Sequence, residues 1–265
     1  MNRARSLLIV CLIAVAASIL LARVHPFGDA GLFTTQGAQA PLMEHSAVPS
    51  EARAVLIAKC ADCHSMQTRP PIYGRLAPIS WLMERDILEG RKAMNLSLWE
   101  SYSADQQSVF AAKIVQETKS REMPLLQYRM IHWNARITDA DVQSFTQWTR
   151  GSSEPVNLMA QSTGEGDPVR GKEVYEKRCT GCHAMTRDGE GPRLQGVYGR
   201  DSGDVAGFTY SPALKKAHIP WNETTLDRWL ADPDTLVPGN NMEFHVPKQQ
   251  ERRDLISYLR QSSGK

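Results

Sequence analysis

The chain has 265 residues, enough for one large or two modest domains, and its 31 Lys plus Arg against 29 Asp plus Glu leave a formal net charge of +2. So near a balance argues for neither a nucleic acid nor a strongly acidic partner, and any docking preference has to come from local charge. Four of the five cysteines fall in two copies of one pattern and the fifth, Cys11, sits in an apolar leader, so none remains for a disulfide.

At the start of the chain Arg3 and Arg5 precede an apolar run from Leu7 to Ala22 that only Ser18 interrupts, and Arg23 follows. This is the pattern of an export signal. Ala38-Gln39-Ala40, the one small-x-small site, lies far beyond the run and is followed by Pro41, which disfavours cleavage there. Sixteen helical residues rise about 24 Å, a workable span once Val24 joins and flanking side chains reach the interface. Residues 1–24 are therefore expected to be an uncleaved anchor with a cytoplasmic N-terminus, a cleaved leader being the alternative. Residues 25–49 hold Pro26, Gly28, Gly31, Gly37, Pro41 and Pro49 with no sustained apolar period and read as a tether, with His25 and His45 as solvated loop histidines.

Ser50 is the expected N-cap of a helix carrying Val55 and Leu56 to Cys60-Ala61-Asp62-Cys63-His64. The same pattern returns as Cys179-Thr180-Gly181-Cys182-His183. Two cysteines three positions apart, followed at once by histidine, form an attachment site for haem c: each thiol bonds to a former vinyl carbon and the imidazole ligates the iron. A zinc site or a thiol redox pair would also use Cys-x-x-Cys, but neither explains the histidine in both copies. Two covalently attached haem c groups are expected.

Beyond the first motif, Trp81, Leu82 and Ile87 suggest a second helix stopped at Gly90. Ser103-Ala104-Asp105-Gln106 has the form of a capping box, followed by a helical stripe of Val109, Phe110, Ile114 and Val115. Thr138-Asp139-Ala140-Asp141 starts another helix, with Val142, Phe145 and Trp148 on one side. No strand-like alternation appears, so residues 50–150 read as a domain of helix and loop. A six-coordinate iron needs a second protein ligand, and Met66, Met83, Met94, Met123, Met130 and His132 are available. Met66 is too near the motif to cross the haem, and core filling accounts for Met83 and Met94. Met123 stands in a loop that Pro124 stiffens.

Cys60-x-x-Cys63-His64-Ser65, Trp81, Gly90-Arg91, Asn95-x-Ser97-x-Trp99, Met123-Pro124-x-x-x-Tyr128-x-x-x-His132 and Trp148 together resemble the bacterial haem-binding domain family of periplasmic cytochromes, over roughly residues 52–150. The resemblance implies Met123 as the distal ligand opposite His64, with His132 and Met130 as the alternatives. Tyr128 is either a core aromatic or a donor to a haem propionate.

Residues 151–166 are a polar linker. Asp167-Pro168 then reads as N-cap and first helical residue. Gly171, Tyr175, the second motif, Gly191-Pro192-x-Leu194-x-Gly196, Gly199-Arg200, Gly207-Phe208-x-Tyr210-Ser211, Trp221, Pro238-Gly239-x-x-Met242-x-Phe244 and Arg253-Asp254-Leu255-Ile256-x-Tyr258-Leu259 resemble mitochondrial-type class I cytochrome c over residues 168–261. The resemblance implies Met242 as the distal ligand opposite His183 and a Pro192 carbonyl accepting from that imidazole. Arg200, Tyr210 and Trp221 are donors suited to haem propionates. Leu226, Trp229 and Leu230 fall on one helical face behind Asn222, with Pro233 ending that helix, and Leu255, Tyr258 and Leu259 form a stripe expected to cross the first helix at Gly171. Two departures stand out: Asp234, Thr235 and Asn241 where the family rings the haem edge with lysines, and Leu214 where it has an asparagine.

The expected fold class is all-α: two helical c-type cytochrome domains, 50–150 and 167–265, joined by the 151–166 linker and preceded by an apolar anchor helix. The two motifs and the resemblances imply a dihaem electron carrier with no substrate chemistry of its own, serving a redox protein donor and acceptor; the apolar leader implies attachment through residues 7–22 on the periplasmic side of a bacterial inner membrane. A dihaem peroxidase, or a cytochrome subunit of a respiratory, dehydrogenase or photosynthetic complex, is the alternative.

Overall fold

The computed structural model describes residues 3–33, 41–151 and 164–264. Among these the helices are, in chain order, α1 (Arg3–Leu21), α2 (Ser50–Lys59), α3 (Ala61–His64), α4 (Ile79–Ala93), α5 (Ala104–Ser120), α6 (Leu126–Ile131), α7 (Asp139–Gly151), α8 (Pro168–Arg178), α9 (Pro212–Ala217), α10 (Glu223–Ala231), α11 (Pro233–Leu236) and α12 (Gln249–Ser262). The described residues form no strand, and their only extended pairing is an isolated bridge between Asp201 and Pro220. The chain is all-α, as its sequence pattern implied. Ala38-Gln39-Ala40 and most of the 151–166 linker lie outside the described residues.

The chain divides into two compact units, Met1–Ser101 with Pro124–Ile137, and Tyr102–Met123 with Thr138–Lys265. The helices of 104–120 and 139–151 thus group with the second haem motif rather than with the first.

In the first unit α1 buries none of its side chains and has a mean hydropathy of 2.5, long and apolar enough to cross a membrane. Its C-terminal end is tied to the neighbourhood of α4: the Ser18 hydroxyl donates to the Ala77 carbonyl at 2.7 Å and the Trp81 indole N–H to the Leu21 carbonyl at 3.2 Å. The stretch read as a tether contributes buried Ala30, Leu32, Leu42, Met43 and Val48. Ala30 and Leu32 pack with Ile87, with Phe33, Cys63, Met83 and Leu88 around them. Removing these side chains from water is what holds the segment down.

Two local expectations change. Ser50 is the first residue of α2, and Pro49 occupies the cap position without a side-chain hydrogen bond. Gly90 does not stop α4, which continues to Ala93. A Cβ at Gly90 would sit 2.9 Å from the Cys63 carbonyl oxygen. The glycine is there so that α4 can pass close to the haem motif.

In the second unit Ser103 caps α5, its side chain accepting from the Gln106 N–H while Gln106 reaches back, the expected capping box. Asp167 and Asn222 cap α8 and α10 as expected. On α7, Phe145 and Trp148 are buried. The core joins Tyr175 of α8, Trp221, Leu226, Trp229 and Leu230 around α10, and Leu255, Ile256 and Leu259 of α12. A Cβ at Gly171 would run into the Asp254 carbonyl and lie 2.9 Å from Tyr258 Cβ, so α8 and α12 cross where no side chain intervenes.

Candidate functional site

Helix α8 ends at Arg178, and the chain folds into a tight turn that presents the second motif. The Cys182 N–H donates to the Cys179 carbonyl at 3.1 Å and the His183 N–H to the same carbonyl at 2.8 Å. The imidazole Nδ1 lies 2.7 Å from the Pro192 carbonyl oxygen. A carbonyl only accepts, so Nδ1 carries the proton and Nε2 keeps its lone pair for a metal. Burial holds the His183 pKa below its ordinary value, against the opposing effect of this hydrogen bond, so the ring is neutral at neutral pH.

His183 opens onto a cavity enclosing about 1360 Å³, solvent at its mouth included. Its lining brings together Cys179, Cys182, His183, Arg200, Tyr210, Trp221 and Met242, all seven site residues expected for this part of the chain. The loop that carries Met242 is fixed from within: Asn240 Oδ1 accepts from the Met242 N–H at 2.6 Å, and Asn240 Nδ2 donates to the Val237 carbonyl at 3.0 Å. The Trp229 indole N–H donates to Met242 Sδ at 3.1 Å. Trp229 was read from the sequence only as a core residue on a helical stripe. Its distance of thirteen positions from Met242 gave no local signal for this bond.

Arg200 donates to the Gln195 and Arg193 carbonyls, and burial lowers its pKa. The Tyr210 oxygen accepts from the Val205 N–H at 3.3 Å, which leaves its own hydrogen free to donate. Leu214 lines the cavity where an amide was the family expectation, and so adds apolar wall.

Helix α5 also lines this cavity, through Val109, Ala112 and Gln116. Ion pairs fasten it and α7 beside the rim: Lys113 to Glu190 at 2.8 Å, Lys119 to Glu243, Arg178 to Asp105 at 2.8 Å, and Arg150 to Asp234 at 2.7 Å. The acidic Asp234, which departs from the lysine ring of the family, is thus neutralised by the chain's own arginine.

The first motif repeats the same device. Cys60 lies between α2 and α3, and His64 Nδ1 donates to the Met94 carbonyl at 3.1 Å, which again leaves Nε2 unprotonated. Burial lowers the His64 pKa, the bond to Met94 opposing it. Sequence reasoning treated Met94 as filler and missed its carbonyl, because a backbone acceptor carries no residue signature. Arg91 braces the turn, donating to the Ser65 carbonyl at 2.8 Å and to Thr68 Oγ1 at 3.0 Å.

Met123 is half-buried in the turn after α5, its N–H donating to the Glu117 carbonyl at 3.2 Å. The alternatives differ in kind: Met130 is 75% exposed, whereas the His132 Nε2 meets the Tyr73 hydroxyl and its ring stacks on Tyr128 at 4.2 Å. The Tyr128 hydroxyl donates to Asp62 at 3.3 Å.

Burial pushes the Cys63 thiol up to about 11, with Asp62 and Asp86 adding to the rise, and pushes Cys179 and Cys182 up to about 12. Catalytic Cys-x-x-Cys pairs show the reverse, a depressed thiol. Raised thiols argue against a thiol redox couple, and an apolar cleft that offers two thiols, an imidazole nitrogen and a thioether suits a covalently held haem.

Comparison with known proteins gives the same result. Residues 23–151 match the haem-binding domain family, and residues 168–263 match cytochrome c. Cytochrome c of Chlamydomonas reinhardtii is 43% identical over 103 residues, 37% of this chain and 92% of that protein. Cytochrome c 2.1 of Caenorhabditis elegans is 44% identical over 103 residues, 38% of this chain and 93% of its own. Among solved structures, cytochrome cH from Methylobacterium extorquens is 37% identical and covers 36% of this chain and 99% of its own, with a TM-score of 0.35. The chain belongs to the cytochrome c family, with a haem-binding domain ahead of the cytochrome c part.

Its cofactor is covalently bound haem c, which supplies an iron that cycles between ferric and ferrous states. The chain's function is that of an electron carrier. Its residues fix the imidazole tautomer, line the cavity largely with apolar groups and place hydrogen-bond donors.

Proposed function

We propose that the chain is a dihaem cytochrome, tethered by α1 to the periplasmic side of a bacterial inner membrane, that passes single electrons between a protein donor and a protein acceptor. The observation that carries the reading is the repeated device: in each Cys-x-x-Cys-His motif a backbone carbonyl, Met94 or Pro192, takes the Nδ1 proton and leaves Nε2 for a metal. In this reading Cys60 and Cys63 would hold the first haem, with His64 and Met123 as the residues that would ligate its iron. Cys179 and Cys182 would hold the second, with His183 and Met242 to ligate its iron and Arg200, Tyr210 and Trp221 as donors available to its propionates. The two haem domains are residues 50–150 and 167–265. Ligation by two side chains at each iron excludes substrate from the metal, so the protein transfers electrons and catalyses no reaction.

The location rests on the exposed apolar α1, behind arginines at positions 3 and 5, together with haem c chemistry, which belongs outside the cytoplasm.

Haem counted against protein in the purified full-length chain should give two per chain, falling to one in a Cys179→Ser, Cys182→Ser double variant. Potentiometric titration of Met123→Ala and Met242→Ala should each lower one potential and open one sixth coordination position to small ligands. A Met123→Ala protein with two unaltered low-spin irons overturns that ligand assignment, and a haem count of one overturns the dihaem reading.

A further inference from the structure

We propose that His25, Asp29 and Glu84 form a binding site for a first-row divalent cation of the zinc type, with no donor drawn from either haem motif. One ligand atom from each residue lies within 4.8 Å of the other two. His25 Nδ1 is 2.7 Å from Glu84 Oε1, so the histidine expected to be solvated is half-buried against a carboxylate. The Glu84 side chain has no solvent exposure, and its second oxygen, Oε2, is buried without a hydrogen-bond partner among the described residues. Leaving a carboxylate oxygen dry and unbonded is costly, and such an oxygen calls for a proton or a cation.

Arg91 feels the Asp29 charge, but among the described residues no arginine is hydrogen-bonded to Glu84 Oε2. Arg91 donates to the Ser65 and Ala30 carbonyls and to Thr68, Arg85 pairs with Asp86, and Arg23 lies over the Phe33 ring at 4.5 Å. Asp29 brings a second carboxylate, one oxygen of which is oriented by the Gly31 N–H at 2.7 Å. Two carboxylates and one imidazole carry excess negative charge that a divalent ion neutralises. One nitrogen and two oxygen donors, with a fourth position open to water, is a donor set that zinc accepts and that calcium, which prefers all-oxygen shells, does not.

The placement gives the ion a task. His25 and Asp29 follow α1, and Glu84 lies on α4, one turn beyond the Trp81 that bonds the end of α1. A cation there pins the exit of the anchor helix to the first unit.

The test is zinc titration of the purified full-length, haem-loaded protein after chelator treatment, with metal content by mass spectrometry. One zinc per chain is expected in addition to iron, bound at least tenfold more weakly in Asp29→Asn and in Glu84→Gln, with an unchanged haem spectrum. Asp29 is exposed, so its variant remains informative if Glu84→Gln fails to fold. Equal zinc affinity in the parent and Asp29→Asn, no zinc retained by the parent, or calcium bound in preference to zinc overturns the proposal.

Discussion

The indole N–H of Trp229 points at the sulfur of Met242, 3.1 Å away. A donor on that sulfur draws electron density from it and weakens its hold on a ferric iron more than on a ferrous one. On the proposed ligation, Trp229→Phe should lower the potential of the second haem while leaving the first unchanged. Neutral hydrogen bonds contribute on the order of 1 kcal/mol, and sulfur is a weak acceptor, so a shift of roughly 20–40 mV is expected. Potentiometric titration of both haems reads it directly.

Gly171→Ala should be among the most destabilising single changes in the second unit. Its Cβ would collide with the Asp254 carbonyl, which belongs to the backbone of α12 and cannot turn aside. The two helices must separate, and overpacking of this kind costs about 1–3 kcal/mol. Denaturant unfolding followed by far-ultraviolet circular dichroism should show a lower midpoint at unchanged slope.

Asp254 sets an acid limit. Burial works to raise its pKa, but hydrogen bonds from Arg170, the Asp167 N–H and Gln250 outweigh burial, and the value lies below the ordinary one. A carboxylate depressed in the folded state contributes stability that is complete above its unfolded pKa, about 3.9, and is lost as pH falls through the depressed folded value. Asp254→Asn should reduce stability at pH 7, modestly because Arg170 is half exposed, and should flatten the dependence on pH below 4. Unfolding midpoints measured between pH 7 and pH 3 check both.

Reversing two charges on α5, as Lys113→Glu with Lys119→Glu, should free that helix from the cavity rim. Each lysine loses a carboxylate partner, Glu190 or Glu243, and gains a repulsion. Pairs of this exposure contribute about 0.2–1 kcal/mol each. Amide hydrogen exchange should accelerate along 104–120 and not along α8.

Much of the second site was legible because its chemistry is written in side chains. Cysteine spacing, the Pro192 acceptor, the methionine loop and the glycine at the helix crossing each leave a residue type that the geometry requires, and the cavity gathers the first three. The first unit was harder to read. Met94 acts through its carbonyl, Gly90 permits a close pass rather than ending a helix, and the proline- and glycine-rich stretch before Ser50 buries scattered apolar residues without any period. That α5 and α7 group with the second unit was not legible either, because the partners of Lys113 and Arg150, Glu190 and Asp234, lie far along the chain.

The fastening of α5 alters what ionic strength does to this molecule. In a freely diffusing carrier, dissolved salt acts mainly on encounter, by shielding the charges that guide two proteins together. Here Glu190, Glu243 and Asp234 already have internal counter-ions, so the same shielding loosens the chain's hold on itself. Added electrolyte should therefore loosen the approach to the second cavity as well as slow collisions.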